Sequence, residues 1–262
     1  MKPLILVTND DGIESPGLAA AVEVAIALGE VIVAAPIDQQ TSTGRGYAKT
    51  PTTGRIFRHD RFKAREVLGA FGIEGTPATA VSHALLELVP RRPDLCISGI
   101  NYGENVGLSI AASGTVGAAL EADTYDVPSM AISLECPVAE QKSSEFSSKT
   151  WGASVDIGRR IAQRLLKEGL PKRIAVWNVN IPSDATESTA IHFVKQSRLN
   201  YFEFLVPKRS SLAEPVRLHA EIRLPKPLND PGTDIEALVV RRVVSICELT
   251  WDQSSLARTG PF

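Results

Sequence analysis

Cysteine is scarce: Cys96, Cys136 and Cys247 are the 3 in 262 residues, far apart and each set among apolar neighbours. An odd, scattered set excludes a disulfide framework and a zinc knuckle. It predicts three buried thiols in a reducing compartment. Neither sign of charge is in excess, since 28 Lys and Arg stand against 30 Asp and Glu for a formal net charge of −2. No basic run exceeds a few residues, so a nucleic-acid polymer is not an expected partner, although a mononucleotide needs no basic face. No apolar run approaches a membrane span, and the one after Lys2 and Pro3 is too short for a signal-peptide core. The expected location is cytoplasmic, with no membrane partner. The chain lacks G-x-x-x-x-G-K-[ST], and Gly44-Arg45-Gly46 does not have dinucleotide-fingerprint spacing. No G-x-S-x-G elbow occurs, and His59, His83, His192 and His219 lie far apart.

What is present is a rhythm. Strand-like and helix-like segments alternate through the first two thirds, which predicts a parallel sheet with helices on its faces. Leu4 to Thr8 reads as the first strand, and Glu30 to Ala35 as the second. Between them lies a helix capped by Ser15, opened by Pro16 and stopped by Gly29. Thr76-Pro77 opens a helix to about Leu88, and Asp94 to Ser98 is another buried strand. Helices are expected from about Thr115 to Tyr125 and from about Trp151 to Lys167. Strands are expected at Ser129–Ser133 and Ile174–Asn178. Residues 39–58 read as a long functional loop, in which Arg45 and Tyr47 are either base or ribose contacts or solvated positions. About 193–225 reads as a hairpin protruding from one domain that spans 1–262, and Ala237 to Leu249 as a closing strand region.

The first strand runs straight into Asn9-Asp10-Asp11-Gly12. Side-by-side carboxylates repel unless a cation or a shared proton lies between them, and the carboxyl ends of parallel strands are where open α/β sheets bind ligands. The second strand leads to Thr41-Ser42-Thr43, and the strand ending at Ser98 to Asn101-Tyr102-Gly103-Glu104-Asn105. Each stretch alone reads equally well as a turn. Their convergence on one sheet edge offers carboxylate, hydroxyl and amide oxygens without Cys or His, a donor set for Mg²⁺, Mn²⁺ or Ca²⁺. Ser113-Gly114-Thr115 opens a helix with small residues, either as a plain cap or as a phosphate cradle made of free amides and a positive dipole end. Metal beside phosphate implies phosphoryl chemistry, with water as the acceptor. Rival readings are a covalent aspartyl-phosphate phosphatase, a non-catalytic nucleotide or flavin-binding module and, weakest, a glycosidase.

Five ordered motifs carry a resemblance: Val7 to Ile13, Ala35-Pro36 with Gln40-Thr41, Gly75-Thr76-Pro77, Ser98 to Asn105 and Ser113 to Ala119. Together with Asn178 to Pro182 and Thr233-Asp234, they resemble the survival protein SurE family of metal-dependent, acid-type 5′/3′-nucleotidases. The resemblance implies a Rossmann-like α/β core with a C-terminal extension exchanged between subunits of a homodimer or homotetramer. It implies one divalent ion per subunit (Mg, Mn or Co) held by Asp10, Asp11, a hydroxyl of the second loop and Asn101, with Asp10 and Asp11 the catalytic acids. It implies a nucleoside monophosphate as substrate, with Asn9, Asn105, Ser113, Gly114 and Thr115 around its phosphate. An ungapped match places Thr41 at the family's serine and Ser42 at its glycine, so Thr41 is the expected ligand. Ser42 is then a substrate contact that takes the ligand role if the loop shifts by one residue. Thr79 stands where the family commonly has Asp.

Overall fold

Strand order places the functional loops. In the computed structural model, which describes residues 1–138 and 151–254, β1 (Leu4–Thr8) lies at the middle of a nine-stranded sheet. On one side follow β2 (Glu30–Pro36), β4 (Val67–Ile73) and β3 (Ile56–Arg58). On the other follow β5 (Leu95–Tyr102), β6 (Ser129–Leu134), β7 (Val176–Ile181), β11 (Val244–Leu249) and β8 (Ile191–Val194). From β4 across to β7 every pairing is parallel; β3 joins β4 antiparallel, β11 joins β7 antiparallel, and β8 runs parallel to β11. Strand order reverses between β1 and β5, and that switch point opens a crevice at the carboxyl ends.

Four of the central strands, β1, β6, β7 and all but the first residue of β2, are buried at every position, as expected of strands covered on both faces. One face is covered by α1 (Pro16–Ile26) and α4 (Gly152–Glu168), packed over Ile5, Val7, Ile97 and Ile132. The other is covered by α2 (Pro77–His83) and α3 (Gly114–Asp123), whose Ala80, Ala118 and Ala122 meet Leu4, Leu6 and Ile32. Small residues let α3 lie close to the sheet, which brings its N-terminus to the crevice.

Several boundaries differ from the sequence reading. The helix opened by Thr76 ends at His83 and continues as one π-turn, Ala84–Leu88. β3 and β4 were not expected: the first lies in the last residues of the presumed loop, and Gly69 and Gly72 dilute the strand signal of the second. The strand at 174–178 runs instead from Val176 to Ile181. Phe193 and Val194 belong to the main sheet through β8, and the hairpin shrinks to β9 (Phe202–Phe204) against β10 (Ala220–Ile222) in a separate two-stranded ladder. The closing region begins as a helix, α5 (Asp234–Val239), because Thr233 caps it by accepting the Glu236 N–H.

Candidate active site

The chain turns sharply at the end of β1. Asn9 closes the turn, its Nδ2 donating to the Gly12 carbonyl at 3.1 Å and its Oδ1 accepting the Gly12 N–H at 3.2 Å. Gly12 has φ 96°, where any other residue would be strained. The Asn9 amide thus shapes the loop, and Asn9 is not among the residues that line the crevice. The two residues it presents, Asp10 and Asp11, face a cavity of about 270 Å³.

Both carboxylates are 6% exposed and both are held. The Thr115 hydroxyl donates to Asp10 Oδ1 at 2.6 Å, and the Thr115 backbone N–H also reaches Asp10. Asp11 Oδ2 accepts the Tyr102 N–H at 3.2 Å, and its Oδ1 accepts Gln39 Nε2 at 3.1 Å. Burial pushes the Asp10 carboxyl up from 3.8 to about 6, against the pull of Thr115. Burial, and after it the Asp10 charge, push Asp11 up to about 7. Burial raises Glu104 as well, a third acid on the cavity wall.

Of the expected residues, Thr41, Ser42, Asn101, Asn105 and Ser113 line the same cavity as the two acids. Asn101 donates Nδ2 to the Gly103 carbonyl at 2.7 Å, so its Oδ1 is the atom with acceptor capacity. Ser42 has φ 63°, the left-handed conformation glycine prefers, and a serine there costs about 1 kcal/mol. Gly114 and Thr115 do not line the cavity. The first packs on Asp10 and the second bonds to it, so the helix end steadies a carboxylate where a phosphate cradle was expected. Ser113 alone of the three reaches the opening, while its Oγ accepts the Val116 N–H at 3.1 Å. Arg45 and Tyr47 turn away to Glu121.

Other residues were missed. Asn178 and Asn180, two apart on β7, both donate to the Asn105 carbonyl, at 2.8 and 3.0 Å. Asn180 Oδ1 also accepts the Asn105 N–H at 2.7 Å, and Asn105 Nδ2 donates to Ser133 at 2.9 Å. Two amides at period 2 in a buried strand were a readable signal for a polar clamp. Leu108, Phe202, Phe204 and Ala220 form an apolar wall of the cavity, and Phe202 is braced edge-on by Tyr201 at 4.9 Å between ring centroids.

The donor chemistry suits a hard cation. Three acids and seven neutral oxygen side chains of Thr, Ser and Asn line the cavity, with no Lys, Arg or His among the described lining residues. Nothing on the wall offsets the charge of Asp10 and Asp11, and both are buried at a cost that a divalent ion would remove. Among the described residues no three His, Cys, Asp or Glu side chains stand close enough to hold a metal ion by themselves, so neutral oxygens would complete its shell. Two carboxylates completed by amide and hydroxyl oxygens fit Mg²⁺ or Mn²⁺ and not zinc.

The family model for Survival protein SurE matches residues 5–203. A protein named 5′-nucleotidase SurE from Thermococcus gammatolerans is 38% identical over 260 residues, covering 96% of this chain and 91% of its own length. Another of that name, from Methanosarcina mazei, is 34% identical over 261 residues, covering 97% and 94%. The crystal structure of the SurE protein from Aquifex aeolicus superposes with a TM-score of 0.75 at 28% identity, covering 96% of this chain and 95% of that one. This chain belongs to the SurE family.

Proposed function

We propose that this chain is a divalent-cation-dependent nucleotidase that hydrolyses nucleoside monophosphates to nucleoside and inorganic phosphate. The observation that carries the reading is a cavity lined by three acids, with no basic side chain among the described lining residues, beside an apolar aromatic wall. A phosphate dianion enters such a cavity only with a cation. Asp10, Asp11, Asn101 Oδ1 and the Thr41 hydroxyl would hold one divalent ion. Once bound, that ion neutralises the phosphoryl oxygens and makes a water more acidic.

The chain's own residues do the rest. Thr115 orients Asp10, and the Tyr102 N–H with Gln39 orients Asp11, which suits both carboxylates to hold the ion and leaves water as the nucleophile. Water therefore attacks phosphorus in line with the ester oxygen. Its proton passes to the Asp10–Asp11 pair, the P–O bond breaks, and the leaving oxygen takes a proton from solvent to depart as the nucleoside hydroxyl, while the pair gives its own proton back to solvent. Asn105, clamped by Asn178 and Asn180, and Ser113 donate to the phosphoryl oxygens, donors set before the reaction begins. The aromatic wall takes the base.

Phosphate release from each mononucleotide is the test, run after chelation and with Mg²⁺, Mn²⁺ or Co²⁺ restored. Release that depends on the added ion is expected; none with any ion and any nucleotide refutes the reading. Phe202→Ala is expected to raise KM for nucleotides about tenfold, from stacking worth about 1–3 kcal/mol per base, and to leave glycerol 2-phosphate unaffected. Equal effects on both substrates would remove the base from that wall.

The loop donor is separable in the same assay. Ser42→Gly should keep activity and relieve the left-handed strain, whereas Thr41→Val should lose about tenfold, the usual scale for a weakened ligand shell. The reverse pattern assigns the ligand to Ser42. The two-stranded ladder, with Val206 and Leu212 exposed between its strands, would serve as the contact of a homodimer or homotetramer, to be weighed by light scattering. Three free, buried cysteines suit the cytoplasm as the place of action.

A further inference from the structure

The loop that carries Thr41 and Ser42 is tied down at both ends, and its far side is anchored further by residues outside the cavity wall. At the near end the Gln40 N–H donates to the Asp10 carbonyl at 2.7 Å. Beyond Ser42 the Gly44 N–H donates to the Ala112 carbonyl at 3.0 Å, and the backbone then lies directly on α3. A Cβ at Gly117 would come within 2.3 Å of the Gly44 carbonyl oxygen. One helical turn further on, on the same face, stands Glu121.

Glu121 is 1% exposed and gathers three donors. Arg45 Nε donates at 2.7 Å, the Tyr47 hydroxyl at 2.5 Å and Ser82 Oγ, from α2, at 2.7 Å. The Arg45 guanidinium also lies 5.1 Å over the ring of Trp251, whose indole N–H donates to Asp123 Oδ2 at 2.6 Å. A buried carboxylate with a cationic donor and two hydroxyls is fully satisfied and hard to disturb. Glu121 touches no cavity residue directly. The same helix steadies Asp10 through Thr115 at its first turn and grips the loop through Gly117 and Glu121 at its middle and end.

We propose that Glu121 is a positioning residue of the reaction: through Arg45 and Tyr47 it holds residues 41–44 against the cavity, so that loop oxygens and the Asp10–Asp11 pair meet at one point. The role given to Thr41 rests on the nucleotidase reading; the tether itself does not. Glu121→Gln keeps the shape but removes the charge that pairs with Arg45, and its amide N–H₂ faces the Tyr47 and Ser82 hydroxyls, which must turn from donors to acceptors, so the loop is held by weaker, neutral bonds.

Amide exchange of residues 40–47, measured on ion-free protein, is expected to speed up about tenfold in Glu121→Gln. Mn²⁺ binding, read from the free-ion paramagnetic resonance signal, should weaken about tenfold, and KM for AMP should rise. At saturating ion and substrate kcat should stay within about twofold, because the acids are untouched. Tyr47→Phe, which removes one half-exposed donor, should give a smaller shift of the same kind and serves if Glu121→Gln does not fold. Unchanged exchange in both variants overturns the tether. Faster exchange with unchanged Mn²⁺ affinity and KM reduces Glu121 to a fold contact and overturns its positioning role. A wild type that neither binds Mn²⁺ nor releases phosphate sinks the nucleotidase reading, and the ion-free exchange still decides the tether.

Discussion

Asp10→Asn is expected to lower ion-dependent phosphate release by about 10³-fold, with Asp11→Asn close behind, while both variants fold. The size follows from what an ion contributes to a phosphoryl transition state, several kcal/mol, at about 1.4 kcal/mol per tenfold in rate. An amide still accepts the Thr115 hydroxyl bond that now reaches Asp10 Oδ1 at 2.6 Å, so local packing survives. Stability of the ion-free protein supplies an independent sign. Both acids are raised in the folded state by burial, Asp11 further by Asp10, so the folded chain binds protons that the unfolded chain has lost. Stability therefore falls as pH climbs from 3.8 through about 7 and levels off above it. Asn at position 10 cannot titrate and also removes the charge acting on Asp11, so the slope of melting temperature against pH between 4 and 7 should flatten in chelator. Added Mn²⁺ should raise the wild-type melting temperature by mass action and leave the variant unmoved. Full turnover in both variants would remove the acids from the mechanism.

The parts legible in the sequence are those set by local pattern. β1 and β5 announce themselves as short apolar runs, and a parallel sheet then sends the residues after them to one edge, so Asp10, Asp11, Asn101 and Asn105 meet where expected. Thr41 and Ser42 arrive for the same reason, after β2. What stayed hidden depends on contacts across long separations. Thr115 serves Asp10 from 105 residues away, and Glu121 collects Arg45 and Tyr47 from 76 and 74 residues away. Neither pairing has a periodicity to betray it. A helix opening of Ser-Gly-Thr carries the same letters whether its hydroxyls face a ligand or a neighbouring carboxylate. Asn9 shows the same ambiguity: an amide before a tight turn serves its own backbone as readily as a substrate. β4 escaped because it pairs on one side with a three-residue strand and carries two glycines, leaving little apolar alternation to read.

Gly114 is the position where those hidden contacts should show most clearly. A methyl group added there would stand 2.7 Å from Asp10 Cβ and 2.8 Å from Asp10 Oδ2. Asp10 cannot swing aside freely, since Thr115, the next residue of the same helix, holds its other oxygen. Either the carboxylate moves and the Thr115 bond stretches, or the first turn of α3 backs away and carries Ser113 and the Gly44 anchor at Ala112 with it. Both outcomes displace a donor by a good part of an ångström, a shift that costs on the order of 10²-fold in rate when reacting groups must align. Overpacking a filled site costs about 1–3 kcal/mol, so Gly114→Ala should also melt earlier. Gly152→Ala is the control, because a Cβ there meets nothing within 4 Å and sits in the first turn of α4. It should leave turnover unchanged and hold or slightly raise the melting temperature. Gly114→Ala with wild-type turnover and wild-type Mn²⁺ affinity would show that Asp10 has room to move, and that the contact of α3 with β1 does not set the geometry of the site.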